Sequence, residues 1–149
     1  MIVTGSSSVA APRERLWGVL SDPAALAQAL PGVDDVSIED ARRFSAVARP
    51  STALGETRLR MDFEVLEERP SEYVRIAGSG HAGEGLLALT VELELADAGA
   101  ATAASWRAEV ALRGVLNSLL QRGLGALLNE QVEAVLAAGA RISEGAGGG

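Results

Sequence analysis

Six residues, Gly78-Ser79-Gly80-His81-Ala82-Gly83, fit the pattern G-x-G-x-x-G and carry the only histidine of the chain. Glycines at that spacing build the phosphate turn of dinucleotide folds, where pyrophosphate rests on the N-terminus of the following helix. A strand pattern does precede the motif, at Tyr73 to Ala77. The next stretch, Leu87-Ala88-Leu89-Thr90-Val91-Glu92, has the period of a strand and not of a helix. Without a helix dipole the turn cannot hold a phosphate, so it reads as a glycine-rich connection within a β-hairpin. His81 then sits at the hairpin tip, either as an exposed turn residue or at the mouth of a pocket. With no second histidine, no cysteine and no carboxylate at ligand spacing, it has no partners for a metal.

Other chemistry finds equally little support. General acid–base catalysis needs titratable groups that point inward. Asp62, Glu64, Glu92, Glu94 and Glu109 alternate with hydrophobes and point outward. Asp34-Asp35, just after Pro31-Gly32, read as a solvated turn, and no Ser-His-Asp arrangement can be placed from spacing. All 13 basic residues are arginine, which excludes a lysine Schiff base. The absence of cysteine excludes disulfides and thiolate chemistry and fits a reducing compartment. A net charge of −7 argues against nucleic acid and against docking on anionic lipid. No cofactor is implied. There is no secretory leader pattern and no long apolar run, which places the chain in the cytoplasm, with a peripheral position at the inner membrane left open.

The elements that must position any site follow from periodicity. Ile2 to Val9 reads as an edge strand, and Pro12 suits the first turn of a helix carrying Leu16, Trp17 and Leu20. Asp22 is a good N-cap for a second short helix, with Pro23 at its first position and Pro31-Gly32 beyond its end. Strict alternation over Arg58 to Val65, Leu87 to Leu95 and Trp106 to Leu112 predicts antiparallel strands with one wet face. Weaker strand patterns cover Val36 to Glu39, Phe44 to Arg49 and Tyr73 to Ala77, with turns at Pro70-Ser71, at the glycine run and at Asp97-Ala98-Gly99. Beyond Gly114, Val115 to Ile142 reads as one long amphipathic helix, with Leu116, Leu120, Leu124, Leu127, Leu128 and Val135 on its apolar side. The expectation is a single domain over residues 1–142 and a glycine-rich disordered tail over 143–149.

This order of elements is that of the α+β helix-grip (START/Bet v 1-like) fold: two short helices after strand 1, then a curved antiparallel sheet of about 6–7 strands wrapped around a long C-terminal helix. The stretch from Val9 to Val36 resembles the opening of the SRPBCC/START-like superfamily, and within it the CoxG family, the G subunit of carbon monoxide dehydrogenase. The residues that carry the resemblance are Ala11-Pro12, Trp17, Asp22-Pro23 and Leu30-Pro31-Gly32. The glycine-rich hairpin at Gly78 to Gly85 agrees, as do the helix entry Gly114-Val115-Leu116 and the internal Gly123-Leu124-Gly125. The resemblance implies an apolar cavity between long helix and sheet that takes a lipid or a quinone. It also implies an accessory role beside a molybdenum hydroxylase of the carbon monoxide dehydrogenase type. Many CoxG-like proteins carry a membrane-anchoring extension; this chain stops at a glycine tail, which puts membrane attachment in doubt.

The candidate cavity residues are Trp17, Met61, Phe63, Leu89, Val91, Trp106, Leu120, Leu124, Leu127 and Gln131, with His81 at the mouth. Gln131 is the polar exception on the helix stripe. It is either a ligand anchor or a side chain satisfied by backbone or water. Ala104, Ala108 and Gly123 leave less side-chain volume beneath the helix, which permits a cavity. The leading reading is a non-enzymatic, apolar-ligand-binding accessory protein. The alternatives are a polyketide cyclase or hydrolase-like SRPBCC enzyme, which needs more inward polar groups, and a protein-interaction module with a filled core.

Overall fold

Hydrophobes at every second position give a sheet one apolar face, and that face must be covered. The computed structural model describes residues 1–52 and 55–148. Its elements run β1 (Ile2–Val9), α1 (Arg13–Leu20), α2 (Pro23–Ala29), β2 (Val33–Ile38), β3 (Arg43–Ala48), β4 (Ser51–Thr52), β5 (Gly55–Glu56), β6 (Leu59–Arg69), β7 (Tyr73–Ala82), β8 (Gly85–Ala98), β9 (Ala101–Arg113), α3 (Val115–Leu120) and α4 (Leu124–Gly148). Seven strands form one curved antiparallel sheet in the order β1-β9-β8-β7-β6-β3-β2, and β4 pairs with β5 apart from it. This is the helix-grip arrangement expected from the sequence.

Local chemistry sets the corners. Asp22 caps α2, its Oδ1 accepting from the Ala24 N–H at 3.1 Å, with Pro23 at the first helical position. Gly83 (φ +59°) and Gly99 (φ +76°) each stand first in the two-residue turns of the β7–β8 and β8–β9 hairpins, where a positive φ is required. The strand β7 is longer than expected. It runs through the glycine run to Ala82, so only Gly83-Glu84 form the turn. His81 is therefore a strand residue, opposite Arg60 and Leu86.

The expected single helix from Val115 is two. α3 ends at Leu120, α4 begins at Leu124, and Gly123 lies at the break. Glycine weakens a helix interior by about 1 kcal/mol, and each half finds its own packing. Leu116 and Leu120 join Leu59, Met61 and Leu87 in a small cluster at one end of the sheet. Leu124, Val135 and Leu136 join the large cluster with α1, α2 and the strands β8 and β9. α4 has 25 residues and stays helical to Gly148, into the stretch expected to be tail. Among the described residues, no helix is long and apolar enough to cross a membrane.

α4 lies close on α1 because of one glycine. A Cβ on Gly139 would stand 2.8 Å from Leu16 Cδ2 and 3.2 Å from Leu16 Cα. Leu16 is itself buried at 1 % exposure. We expect Gly139→Ala to lower the unfolding free energy by about 1–3 kcal/mol through overpacking, despite its better helix propensity. Gly18→Ala, on the exposed side of α1 with nothing within 4 Å, should raise it by up to about 1 kcal/mol. Urea unfolding of both variants tests the pair; equal effects would refute the close-approach argument.

Candidate functional site

The inner face of the sheet is buried at its ends and half-buried in its middle. Along β8, Leu87 and Leu93 are buried at 5 % and 6 % exposure, whereas Leu89 and Val91 between them are only half-buried. Register places Gly78 and Ile76 of β7 beside those two, and Phe63 and Val65 of β6 beyond. Phe63 and Ile76 are half-buried as well, and so are Leu128 and Val132 of α4. Phe63, Leu89 and Leu112 pack against both core clusters, so they bridge the interval between them. The result is an apolar trough whose wall residues keep part of their surface accessible.

The glycine motif has its physical role here. Gly78 and Gly80 stand two apart on one strand and so share the inner face. A Cβ on Gly78 would sit 3.2 Å from both Leu89 Cδ1 and Phe63 Cδ1, and one on Gly80 would collide with Met61 Sδ. The large side chains of β6 and β8 lean over β7 because β7 has none there. These glycines shape the floor of an apolar face and hold no phosphate. Phe44 stacks on Phe63 with ring centroids 4.8 Å apart, which fixes the β3 side of the trough.

Eleven candidates named from the sequence fall into four places. Trp17, Phe63, Leu89, Val91, Trp106 and Leu124 belong to the large cluster or pack against it. Met61 and Leu120 lie in the small cluster. Leu127 and Gln131 are half-buried on α4, and Gln131 Nε2 donates to the Pro31 carbonyl at 3.0 Å. That amide is thus engaged with the exit of α2. His81 is exposed on the outer face, turned away from the trough. Ile76 and the floor glycines were not among the candidates, although the spacing of Gly78 and Gly80 carries the signal that they share a face.

The outer face is polar. Two open hollows mark it, one of about 570 Å³ lined by Ser37, Arg43, Ser45, Asp62, Glu64 and Ser79. The other, of about 740 Å³, is lined by Ser6, Ser8, Arg69, Glu72, Glu94 and Ser105. The expected outward carboxylates are found there, and Arg43 pairs with Glu64 at 3.5 Å. Asp34 and Asp35 belong to the edge strand β2 rather than to a free turn. Arg49 pairs with both, and Arg58 with Asp35 at 3.6 Å. Among the described residues, no group of histidine, cysteine and carboxylate side chains could hold a metal.

The sequence profile of the G subunit of carbon monoxide dehydrogenase (CoxG) matches residues 5–139. The chain belongs to the CoxG family. The fold of this CoxG-family chain is shared with solved structures. A conserved protein of Geobacillus kaustophilus is similar at 16 % identity with a TM-score of 0.84, over 97 % of this chain and 95 % of that one. A Chromobacterium violaceum protein is 20 % identical with a TM-score of 0.70, over 93 % and 97 %. A Thermus thermophilus protein is 16 % identical with a TM-score of 0.64, over 98 % and 99 %. At such identities the likeness establishes the fold alone. No curated protein matches the sequence.

Tyr73 reports on the outer face, being the only tyrosine. Its ring is buried under the Arg69 guanidinium, 4.6 Å from the ring centroid, and its hydroxyl donates to Glu92 Oε1 at 2.7 Å. Burial, and next the hydrogen bond to the Glu92 carboxylate, raise its pKa above the ordinary 10.0. Folding therefore favours the neutral phenol. That contribution is complete below the unfolded pKa and is lost as pH rises through the raised one. Near-ultraviolet absorbance should show a phenolate midpoint above pH 10.0 in the native chain, and Glu92→Gln should bring it down. A native midpoint at or below the denatured one would contradict this geometry.

Proposed function

We propose that this chain is a non-enzymatic accessory protein of a carbon monoxide dehydrogenase-type molybdenum hydroxylase. In this reading residues 1–142 act as the binding unit. They take an apolar molecule, a lipid or a quinone, between α4 and the inner face of the sheet. The observation that carries the reading is the half-buried apolar stretch Phe63, Ile76, Leu89 and Val91 between the buried ends of the same strands. A sheet covered tightly along its length would bury these positions as fully as Leu87 and Leu93. An apolar concavity with few polar groups is the usual form of a small-molecule site. The link to carbon monoxide dehydrogenase comes from the family.

An enzymatic reading has less to stand on. The strand carboxylates point outward, and the glutamate of α4 that meets the sheet, Glu133, accepts from the Ser7 hydroxyl at 3.2 Å. Among the described residues, no acid–base pair faces the trough. In the proposed reading the chain works as a carrier of apolar molecules in the cytoplasm.

Native mass spectrometry and organic extraction of the protein purified from its own host test this directly. A lipid or quinone bound in near-stoichiometric amount is expected. Val91→Trp should fill the trough, lower affinity for that molecule at least tenfold, and change stability by less than about 1.5 kcal/mol, since the site is not close-packed. A chain that carries nothing, and gains no thermal stability from quinones or fatty acids, would leave the interaction-module reading in its place.

A further inference from the structure

The seven-stranded sheet ends in β2 on one side and β1 on the other, and the two edges differ. At β2 the register slips between Asp34 and Ser37, and Asp35 takes a φ of +49°. Both aspartates carry charge, and α2 packs alongside. Bulge, charge and cover are what keep a strand edge from pairing with another chain. β1 has neither bulge nor charge. Ile2-Val3-Thr4-Gly5-Ser6-Ser7-Ser8-Val9 contains no charged residue and no proline, and its register with β9 is unbroken. An edge left regular and uncharged invites aggregation unless something uses it.

Met1 and Val110 exchange both backbone hydrogen bonds, at 3.0 and 2.8 Å. In an antiparallel pair such residues alternate with others whose N–H and C=O point the opposite way. Val3, Gly5 and Ser7 therefore bond to β9, and the backbone groups of Ile2, Thr4, Ser6 and Ser8 point to the open edge. Those four residues are exposed. α4 runs beside the strand: a Cβ on Gly125 would stand 3.9 Å from Val3 Cγ1, and Glu133 accepts from the Ser7 hydroxyl. Helical spacing puts Ala126, Asn129, Glu130 and Ala137 on the same flank as Glu133, and these four are exposed. Edge and flank form a slot, with backbone hydrogen-bonding groups on one wall and the carboxylates of Glu130 and Glu133 on the other.

We infer that this slot binds an extended segment of a partner protein, added to β1 as a further strand, with lysine or arginine at the positions that face α4. In strand addition the backbone hydrogen bonds give affinity, and alternate side chains give selectivity. Here those side chains meet Glu130 and Glu133 in a chain of net charge −7, which favours cations and repels acidic segments. A second copy of this chain fits less well. Two-fold pairing of β1 with itself sets the two α4 helices on the same side of adjacent strands, about 4.8 Å apart, where packed helices need about 8–10 Å. The slot lies outside the trough and serves equally with the trough empty or filled.

The test is amide hydrogen exchange, read by nitrogen-15 NMR on the full chain, alone and with two capped peptides as long as β1. One peptide alternates threonine with lysine, the other threonine with glutamate. In the chain alone, the amides of Thr4, Ser6 and Ser8 should exchange faster than those of Val3, Gly5 and Ser7. The lysine peptide should slow them and bind about tenfold more tightly than the glutamate peptide, a preference that fades in high salt. Ser6→Pro removes one outward N–H, leaves the bonds to β9 in place, and should abolish the slowing. Should that variant not fold, Glu130→Gln on the exposed helix surface still decides, by narrowing the preference about threefold. Equal protection of both sets of amides in the dilute chain would overturn the open edge. Protection that rises with protein concentration and tracks a doubled mass would put a second copy there instead. If neither peptide slows exchange, or both do so equally, the basic-strand assignment is wrong.

Discussion

A seven-stranded sheet with one apolar face depends on its cover, and here that cover is held by the contact of Leu16 with Gly139. α1 and α4 are drawn together there, and both press on the same end of the sheet. Leu93, Leu95, Ala104 and Trp106 are buried beneath them. The other end is closed separately, by α3 over Leu59, Met61 and Leu87. Two anchored ends and one helix break leave the interval between them incompletely covered. The half-burial of Phe63, Ile76, Leu89 and Val91 follows from where the helices are fixed.

The same constraint explains why glycine and alanine recur on the inner face. In a flat packing they would cost burial without return. Here they let neighbours lean sideways: Met61 over Gly80, Leu89 and Phe63 over Gly78, Trp106 over Gly5, Leu116 over Gly85. The first three replace a side chain on one strand by the flank of a side chain from the next, and the last by one from α3. The sheet thereby keeps large hydrophobes at few positions while covering its own backbone. With aromatic residues at only 3 % of the chain, this economy decides how much of the face can be filled.

Much of the fold was legible because its signals are local. Alternation from Leu59 onward, the Asp22-Pro23 cap and the turn glycines each specify their own element. Two features were not. The extension of β7 through Gly78 to Ala82 hid behind glycines, which read as turn because strand propensity is a statement about side chains they lack. The break before Leu124 hid inside an unbroken apolar stripe, because periodicity does not register that the two halves pack on different clusters. The inward face of the sheet was legible as a set of residues and not as a shape. Gln131 reads either as a ligand anchor or as a satisfied amide, because its partner, Pro31, is 100 residues away in sequence. Trp106 reads as a candidate lining residue, and its burial against Gly5 is set by a pairing 101 residues apart that no local pattern records.

The pairing of β1 with β9 joins Ile2 to Glu109, and α1, which packs on α2 and β8 as well, makes its main contact with α4. The first strand therefore has no partner until β9 is made, and the cover of the first helix is complete only with α4. During synthesis, Leu16, Val19 and Leu20 face water while the hairpins β6–β7 and β8–β9 can already close on themselves. Contacts of such long span are made late and slowly. The newborn chain is thus a meander of finished hairpins with an unclaimed N-terminal segment, and its period of greatest exposure to aggregation ends when α4 arrives.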